Sequence, residues 1–184
     1  MYEIRWHGRG GQGAVTSAKV LADAAFRSGF EGVTSQPSFG AERRGAPITA
    51  SSRLAHEPIR ILSQVTTPDI VVVLDDSLLG VANATAGMKP DGTIIINTVK
   101  TPAELGLDAL LRVVTSDVTG AAETAELIVG GQPMVSTAIL GAFAAATGLI
   151  SMDSVEAAIT HAFHGPAAKK NVDAARIAYE CAHA

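Results

Sequence analysis

The sequence predicts an α/β protein, a single Rossmann-like domain with a mostly parallel sheet, helices on both faces and a helical C-terminal part. Residues 2–28 run from a short apolar-alternating segment through a glycine cluster into an alanine- and leucine-rich segment, which is typical of a strand, a tight turn and a helix. Asp69–Asp75 and Thr93–Asn97 have the continuous apolar pattern of buried parallel strands. Alternating strands and helices favour a sheet covered by helices.

Length and composition limit the possible classes of protein. The 184 residues have the size of one domain, so residues 1–184 are expected to form a single unit. The 14 basic and 18 acidic residues leave a formal charge of -4, which argues against a nucleic-acid partner. The apolar runs are too short to span a bilayer, so no membrane partner is expected. The first strand leaves no room for a signal peptide, and we expect a cytoplasmic protein.

Elements in the first half of the chain follow from turn signals and alternation. Gly29 ends the first helix, and Phe30–Ser35 is predicted to be the second strand. Gln36–Pro47 contains two glycines and two prolines, which exclude regular structure through most of it. Ile48–Leu54 alternates as a strand, and Ile59–Leu62 is expected to pair back antiparallel to it.

The second half of the chain becomes progressively helical. A crossover helix is predicted over Ser77–Gly87, after the first buried strand. Leu105–Leu111 is predicted to be a short helical piece, and Arg112–Ser116 the last strand. Four further helices are predicted, at about Gly120–Ile128, Val135–Thr147, Ser151–Phe163 and Pro166–Cys181.

The glycine turn is the first candidate binding element. Gly8, Gly10 and Gly13 match the spacing G-x-G-x-x-G, and Gly11 adds a fourth glycine. Without Cβ atoms the backbone turns sharply and brings its N–H groups close to a ligand. The start of the following helix has unpaired N–H groups and partial positive charge, which suit a phosphate. The alternative is that the glycines only pack the helix tightly against the sheet.

Nicotinamide dinucleotides usually need a further feature, an acidic side chain at the end of the second strand that binds the ribose. Here that region, Thr34–Pro37, contains no acid, and Glu31 precedes the strand. An NAD site is therefore disfavoured. A stand-alone nucleotide- or NAD(P)-binding protein remains the alternative function.

A second candidate element is the arginine-containing loop, Phe39–Pro47. Arg43 and Arg44 each offer a planar fork of donors that suits phosphate or carboxylate. Glu42 is placed to hold one arginine in an ion pair and leave the other facing a ligand or partner. The alternative is a solvated loop with a surface salt bridge.

Topology places these elements together. Ligands of parallel sheets gather beyond the carboxyl ends of the strands. The glycine turn, the segment after the second strand, Asp75–Asp76 and Asn97 are all expected at that edge of the sheet.

The two stretches together resemble one family. GRGGQG directly after the first strand, followed by FGAERRGAP, is similar to the gamma subunit of the 2-oxoacid:ferredoxin oxidoreductases, whose best-known members act on pyruvate. One departure lies at Ser136 and Thr137, where family members often have an asparagine. The resemblance covers nearly the whole chain, since weaker matches continue at Arg53, Pro58-Ile59, Pro68-Asp69, Leu140-Gly141-Ala142 and Asn171.

The resemblance implies a multi-subunit enzyme. It oxidatively decarboxylates a 2-oxoacid on thiamine diphosphate, passes electrons through iron–sulfur clusters to ferredoxin and forms acyl-CoA. The partners implied are alpha, beta and ferredoxin-like delta subunits, which are expected to carry thiamine diphosphate, Mg²⁺ and the clusters. The single cysteine, Cys181, cannot ligate a cluster within this chain. The resemblance does not choose between pyruvate, 2-oxoglutarate, branched-chain 2-oxoacids and indolepyruvate.

The task left for this chain is subunit assembly and the positioning of coenzyme A, with no catalytic residue and no metal ligand of its own. The arginine loop is either a CoA contact or an interface loop, and a purely structural interaction subunit is a further alternative. The expected cofactor-binding residues are those of the two stretches, Gly8, Arg9, Gly10, Gly11, Gln12, Gly13, Phe39, Gly40, Glu42, Arg43 and Arg44.

Overall fold

The computed structural model describes residues 1–37, 44–61 and 63–184, and its centre is one six-stranded sheet. The strands are β1 (Tyr2–Arg9), β2 (Gly32–Pro37), β3 (Pro47–Ala55), β4 (Ile70–Val73), β5 (Thr93–Asn97) and β6 (Arg112–Ser116). Their order is β2-β3-β1-β4-β5-β6. Strands β1, β4, β5 and β6 are mutually parallel, and β3 runs antiparallel to its neighbours β1 and β2. The predicted mostly parallel sheet is confirmed.

Seven helices and a small hairpin complete the described part of the chain. The helices are α1 (Ala14–Arg27), α2 (Leu78–Val81), α3 (Pro102–Leu105), α4 (Val118–Thr124), α5 (Val135–Thr147), α6 (Met152–Ala162) and α7 (Gly165–Glu180). The hairpin consists of β7 (Ile128–Val129) and β8 (Gln132–Pro133). The predicted α/β class with a helical C-terminal part is therefore confirmed.

Two predictions around β3 and β4 are wrong. Residues 59–61 form no strand, because β3 already pairs on both sides, with β1 and with β2; Leu62 lies outside the described residues. The crossover helix predicted over Ser77–Gly87 is only the four-residue α2. Asn83 and Gly87 have positive φ angles, 44° and 71°, which a continuing right-handed helix does not allow.

Two helix boundaries also differ from prediction. The helical piece expected at Leu105–Leu111 is wrong beyond its first residue, because α3 ends at Leu105. Thr101 and Glu104 begin α3 with a reciprocal capping box, and Gly106 ends it at a φ of 58°. Helix α4 stops well before Ile128, which instead begins the hairpin. The Gly130-Gly131 pair between short apolar segments was the sequence signal for that hairpin.

Alternation along the strands divides the core into two layers. Ile4, Trp6 and Val72 point to the face covered by α1 and by α4–α7. Val71 and Val73 point to the other face, where the short α2 and α3 pack. Helices therefore flank both faces, but one face carries nearly all the helical mass. The ring of Trp6 stacks on Phe143 of α5, and its Nε1 donates to Ser52 Oγ at 3.0 Å.

The contact between α5 and α7 depends on the absence of a side chain at Gly141. A Cβ atom there would lie 1.8 Å from the backbone oxygen of Ala175. A backbone atom inside a packed helix cannot move aside as a flexible side chain can.

We expect Gly141→Ala to lower the free energy of unfolding by about 1–3 kcal/mol, because overpacking outweighs the better helix propensity of alanine. Urea unfolding of the isolated chain measures the change. The matched control is Gly80→Ala, since a Cβ at Gly80 meets nothing within 4 Å. Equal unfolding midpoints for both variants would contradict the packing argument.

His7 is a buried, neutral histidine of β1. Its side chain is 4% exposed, its Nε2 accepts a hydrogen bond from Arg5 Nε at 3.0 Å, and its Nδ1 has no hydrogen-bond partner among the described residues. Burial, with a smaller contribution from the Arg5 charge, lowers the pKa of His7 from 6.5 to about 4.

This shift predicts a pH-dependent stability. Because the pKa is lower in the folded than in the unfolded chain, the unfolded chain binds the proton more readily between those two values. Stability is therefore complete above pH 6.5 and is lost as the pH falls towards about 4, by about 3 kcal/mol in total.

His7→Gln, which retains an acceptor for Arg5, should flatten the dependence of the unfolding free energy on pH between about pH 6.5 and pH 4.5. Urea unfolding across that range tests this. His164→Gln, at an exposed histidine, is the control and should retain the wild-type slope. An unchanged slope in His7→Gln would show that His7 is not the responsible group.

Candidate functional site

A large cleft lies at the carboxyl ends of the parallel strands. Its volume is about 1170 Å³, and its lining includes Arg9, Arg44, Asp75, Asp76 and Asn97. The predicted placement of the glycine turn, Asp75–Asp76 and Asn97 at one edge of the sheet is confirmed, and Arg44 and Gly45 of the segment after the second strand lie there as well. The remaining walls come from the start of α4, the β7–β8 hairpin and the start of α5.

The glycine turn forms one wall of this cleft and uses its glycines in two ways. Gly11 and Gly13 have positive φ angles of 98° and 83°, which favour glycine. A Cβ at Gly13 would also lie 2.7 Å from the Cβ of Ser136 on α5. A Cβ at Gly8 would lie 3.1 Å from Leu74 Cδ1. The glycines therefore allow close packing against α5 and β4 and at the same time leave the cleft side of the turn open.

Ser136 and Thr137, where the sequence differs from the family pattern, contribute to this packing. Ser17 Oγ donates to the backbone oxygen of Ser136 at 2.7 Å, which joins α1 to α5. Thr137 Oγ1 donates to Asn171 Oδ1 and so joins α5 to α7. A small residue at position 136 is what the close approach of Gly13 requires.

Two long helices begin at the cleft without a side-chain cap. Helix α1 starts after Gly13 and α5 after Met134, and neither first turn has a side-chain hydrogen bond to its backbone N–H groups. Helix α4 differs, because Asp117 Oδ1 accepts from the N–H of Gly120 at 2.8 Å. Uncapped N–H groups and the positive end of the helix dipole favour an anion at the α1 and α5 side of the cleft.

Arg9 is bound within the protein. Its Nε donates to Asp75 Oδ2 at 3.0 Å, its Nη1 to the backbone oxygen of Gly45 at 3.1 Å, and its Nη2 to Ser77 Oγ at 2.7 Å. Each guanidinium nitrogen thus has a protein acceptor. The predicted contact of Arg9 with a ligand remains untested, and the observed contacts join three segments of the chain.

Asp75 holds this network together as a carboxylate. It also accepts hydrogen bonds from Gln12 Nε2 at 3.1 Å and from the backbone N–H and the hydroxyl of Ser77. Burial alone would raise the pKa of Asp75, but the hydrogen bonds from Ser77, Gln12 and Arg9 outweigh it, so the pKa lies below its ordinary value. Sequence reasoning placed Asp75 at this edge but did not find its pairing with Arg9.

Arg44 is the exposed cation of this wall. Gly10 and Arg44 form a parallel β-bridge. Beside it, Gly10 N donates to Ala46 O at 2.9 Å and Gly45 N donates to Gly10 O at 3.0 Å. The backbone of Arg44 is therefore attached to the glycine turn. Within residues 1–37, 44–61 and 63–184, no carboxylate pairs with its guanidinium. Four further predicted site residues, Phe39, Gly40, Glu42 and Arg43, lie outside the described residues.

The opposite wall is acidic and polar. Asp76 accepts from Thr98 Oγ1 at 2.9 Å and pairs with Lys100 at 3.2 Å. Glu123 of α4 also lines the cleft. Asn97 is held between β4 and α4, since its Nδ2 donates to Leu74 O at 3.0 Å and to Thr119 Oγ1 at 2.9 Å. The cleft lining therefore contains both cationic and anionic side chains.

The described residues include no group of three or more His, Cys, Asp or Glu side chains arranged to hold a metal ion. In the same part of the chain, no helix has the length and hydropathy needed to cross a membrane.

Comparison with known proteins identifies the family. The family model for pyruvate ferredoxin/flavodoxin oxidoreductase matches residues 3–181. The chain is 52% identical over 180 residues to the pyruvate/ketoisovalerate oxidoreductases common subunit gamma of Pyrococcus abyssi, covering 98% of this chain and 96% of that protein. It is 49% identical to the pyruvate synthase subunit PorC of Methanothermobacter marburgensis, covering 98% and 97%.

A solved structure supports the same assignment. The crystal structure of pyruvate oxidoreductase subunit PORC from Thermotoga maritima superimposes with a TM-score of 0.83 and 33% identity, covering 99% of this chain and 97% of that one. The chain therefore belongs to the pyruvate ferredoxin/flavodoxin oxidoreductase family, as a gamma subunit of a 2-oxoacid:ferredoxin oxidoreductase.

Proposed function

We propose that this subunit binds coenzyme A in the cleft at the carboxyl edge of its sheet and presents it to an active site built by other subunits. The proposal rests on one observation: two elements that suit an anion, the start of α1 and Arg44, lie at the same wall of the cleft. The uncapped start of α1 lies close to Arg44, because Gly10 and Arg44 form a β-bridge; the Arg44 side chain is exposed and has no carboxylate partner among the described residues.

The cleft suits a ligand of this size and charge. Its volume of about 1170 Å³ exceeds that of an ordinary small-molecule site, which is up to about 1000 Å³. Coenzyme A carries a diphosphate and a ribose 3′-phosphate, and phosphates favour helix N-termini and arginine forks. Its thiol, which accepts the acyl group, lies at the end of a long uncharged arm.

The charge distribution gives the ligand an orientation. Glu123 in the cleft lining repels phosphate, whereas the glycine turn and Arg44 attract it; Asp76 is paired with Lys100. The phosphates are therefore placed at the α1 side of the cleft, and the uncharged parts of the ligand extend along the remaining walls.

The rest of the reaction belongs to partner subunits in this proposal. They decarboxylate the 2-oxoacid on thiamine diphosphate with Mg²⁺ and pass the electrons through iron–sulfur clusters to ferredoxin. We assign these steps to alpha, beta and ferredoxin-like delta subunits, with residues 1–184 of this chain acting as one domain in the cytoplasm. The support within this chain is its single cysteine, which is too few for a cluster.

An interface role is the second candidate function. Val99 and Val129 line the cleft although their side chains are 80% and 61% exposed. Exposed apolar residues at the mouth of a cleft are typical of a surface that a partner covers. An exposed arginine such as Arg44 also suits a protein interface. The two roles are compatible, because a ligand bound here would then lie between subunits.

We expect Arg44→Ala to raise the Michaelis constant for CoA by about 10-fold in the assembled complex, since a charge-assisted contact to phosphate contributes about 1.5–3 kcal/mol. Turnover at saturating CoA should change little, because Arg44 takes no part in the decarboxylation or the electron transfer. Steady-state kinetics with varied CoA measures both constants.

The matched control is Arg60→Ala, an exposed arginine outside the cleft lining, which should leave the CoA constant unchanged. Co-purification of the partner subunits separates the two candidate roles. An unchanged CoA constant in an intact Arg44→Ala complex would exclude the CoA role. Loss of the partners from that variant would favour the interface role.

A further inference from the structure

We propose that Asp75 is a positioning residue for the CoA site, holding the glycine turn and the Arg44 segment in their binding geometry through Arg9 and Gln12. The inference rests on the proposed function and adds a residue that lies outside both stretches identified from the sequence. Asp75 follows β4, so it belongs to a different strand from either element that it holds.

Both carboxylate oxygens of Asp75 are used. Oδ2 accepts from Arg9 Nε at 3.0 Å and from Gln12 Nε2 at 3.1 Å, two side chains of the glycine turn. Oδ1 accepts from the backbone N–H and the hydroxyl of Ser77. The carboxylate therefore connects the glycine turn to the end of β4.

Gln12 passes this restraint to the backbone of the turn. While its Nε2 donates to Asp75, its Oε1 accepts from the backbone N–H of Arg9 at 2.7 Å. The backbone N–H of Gln12 donates to Arg9 O at 2.9 Å and closes the same turn. The position of the turn is thus tied to the carboxylate by a side chain that belongs to the turn.

Arg9 passes the restraint to the arginine loop. Its Nη1 donates to the backbone oxygen of Gly45, the residue directly after Arg44, at 3.1 Å. Gly45 also donates to Gly10 O at 3.0 Å. The backbone next to Arg44 is therefore fixed by two hydrogen bonds to the glycine turn, and one of them depends on the orientation of Arg9.

Charge and exposure favour positioning over stability as the role of this pair. The Arg9 and Asp75 side chains are 30% and 24% exposed, and ion pairs in contact with solvent contribute little to folding. Asp75 also neutralises the charge of Arg9. Among the described residues of this wall, Arg44 is then the arginine without a carboxylate partner. Asp76, the neighbouring carboxylate, pairs instead with Lys100 and Thr98.

The test is Asp75→Asn in the assembled complex. Asparagine keeps the size of the side chain, but it loses the charge and replaces one acceptor by a donor that faces Arg9 and Gln12 or Ser77. We expect the Michaelis constant for CoA to rise by about 5- to 10-fold while turnover at saturating CoA stays within about twofold. Arg9→Lys should show the same pattern, because an ammonium cannot donate to Asp75, Gly45 and Ser77 in the planar arrangement of a guanidinium.

A double-mutant cycle identifies the route of the effect. If Asp75 acts by positioning Arg44, then Asp75→Asn should change the CoA constant less than about twofold when Arg44 is already alanine. Full multiplication of the two effects would overturn that route. Asp173→Asn is the matched control, because Asp173 pairs with Lys169 on α7 and does not line the cleft.

The outcomes separate this inference from the proposed function. A raised CoA constant in Arg44→Ala with an unchanged one in both Asp75→Asn and Arg9→Lys would overturn the positioning role alone. A fall in turnover with an unchanged CoA constant in Asp75→Asn would also overturn it. An unchanged CoA constant in Arg44→Ala would instead overturn the proposed function. Should Asp75→Asn fail to assemble with its partners, Arg9→Lys decides the matter by the same kinetic comparison.

Discussion

The parallel register between β1 and β4 is the constraint on which the cleft depends. His7 lies opposite Val73, and Leu74 N donates to His7 O at 2.8 Å. The segments that follow β1 and β4 therefore leave the sheet side by side. Arg9 and Asp75 follow on these adjacent chains and meet at 3.0 Å. A shift of one residue would turn the side chains of β4 to the opposite faces and separate this pair. The register that buries the valines therefore also brings Arg9 and Asp75 together at the edge of the cleft.

The glycine turn shows that packing and ligand access do not compete here. Gly13 must lack a side chain because α5 approaches it at Ser136, and the same approach brings the start of α5 to the cleft. The uncapped start of α5 consequently lines the cleft, and the uncapped α1 begins just after the lining residues of the glycine turn. The sequence left open whether the glycines bind a ligand or only allow tight packing. In the structure, the tight packing of α5 against the glycine turn also brings the positive end of the α5 dipole to the cleft.

Much of the fold follows from local pattern. β4 and β5 were predictable because continuous apolar runs bounded by turn residues suit strands buried on both faces. Helix α5 was predictable over its full length, Val135–Thr147, since a proline precedes it and a glycine follows it. The helix predicted at Ser77–Gly87 is much shorter in the structure, because Asn83 and Gly87 have positive φ angles. The spacing of apolar residues does not reveal such angles. The predicted pairing of Ile59–Leu62 with β3 was also wrong, because β3 pairs with β1 and β2 instead.

The amino-acid sequence was enough to predict the family, the fold class and the two stretches that meet at the cleft. Glycines, prolines and buried strands can be recognised because each has a local sequence pattern. Tertiary structure alone decided what Arg9 does. Its guanidinium is bound by Asp75, 66 positions away, and by Gly45 and Ser77 on two other segments, whereas Arg44 remains exposed. Two arginines near glycines look equivalent in a sequence, and only the chain segments folded around each one determine which charge is neutralised within the protein and which faces the cleft.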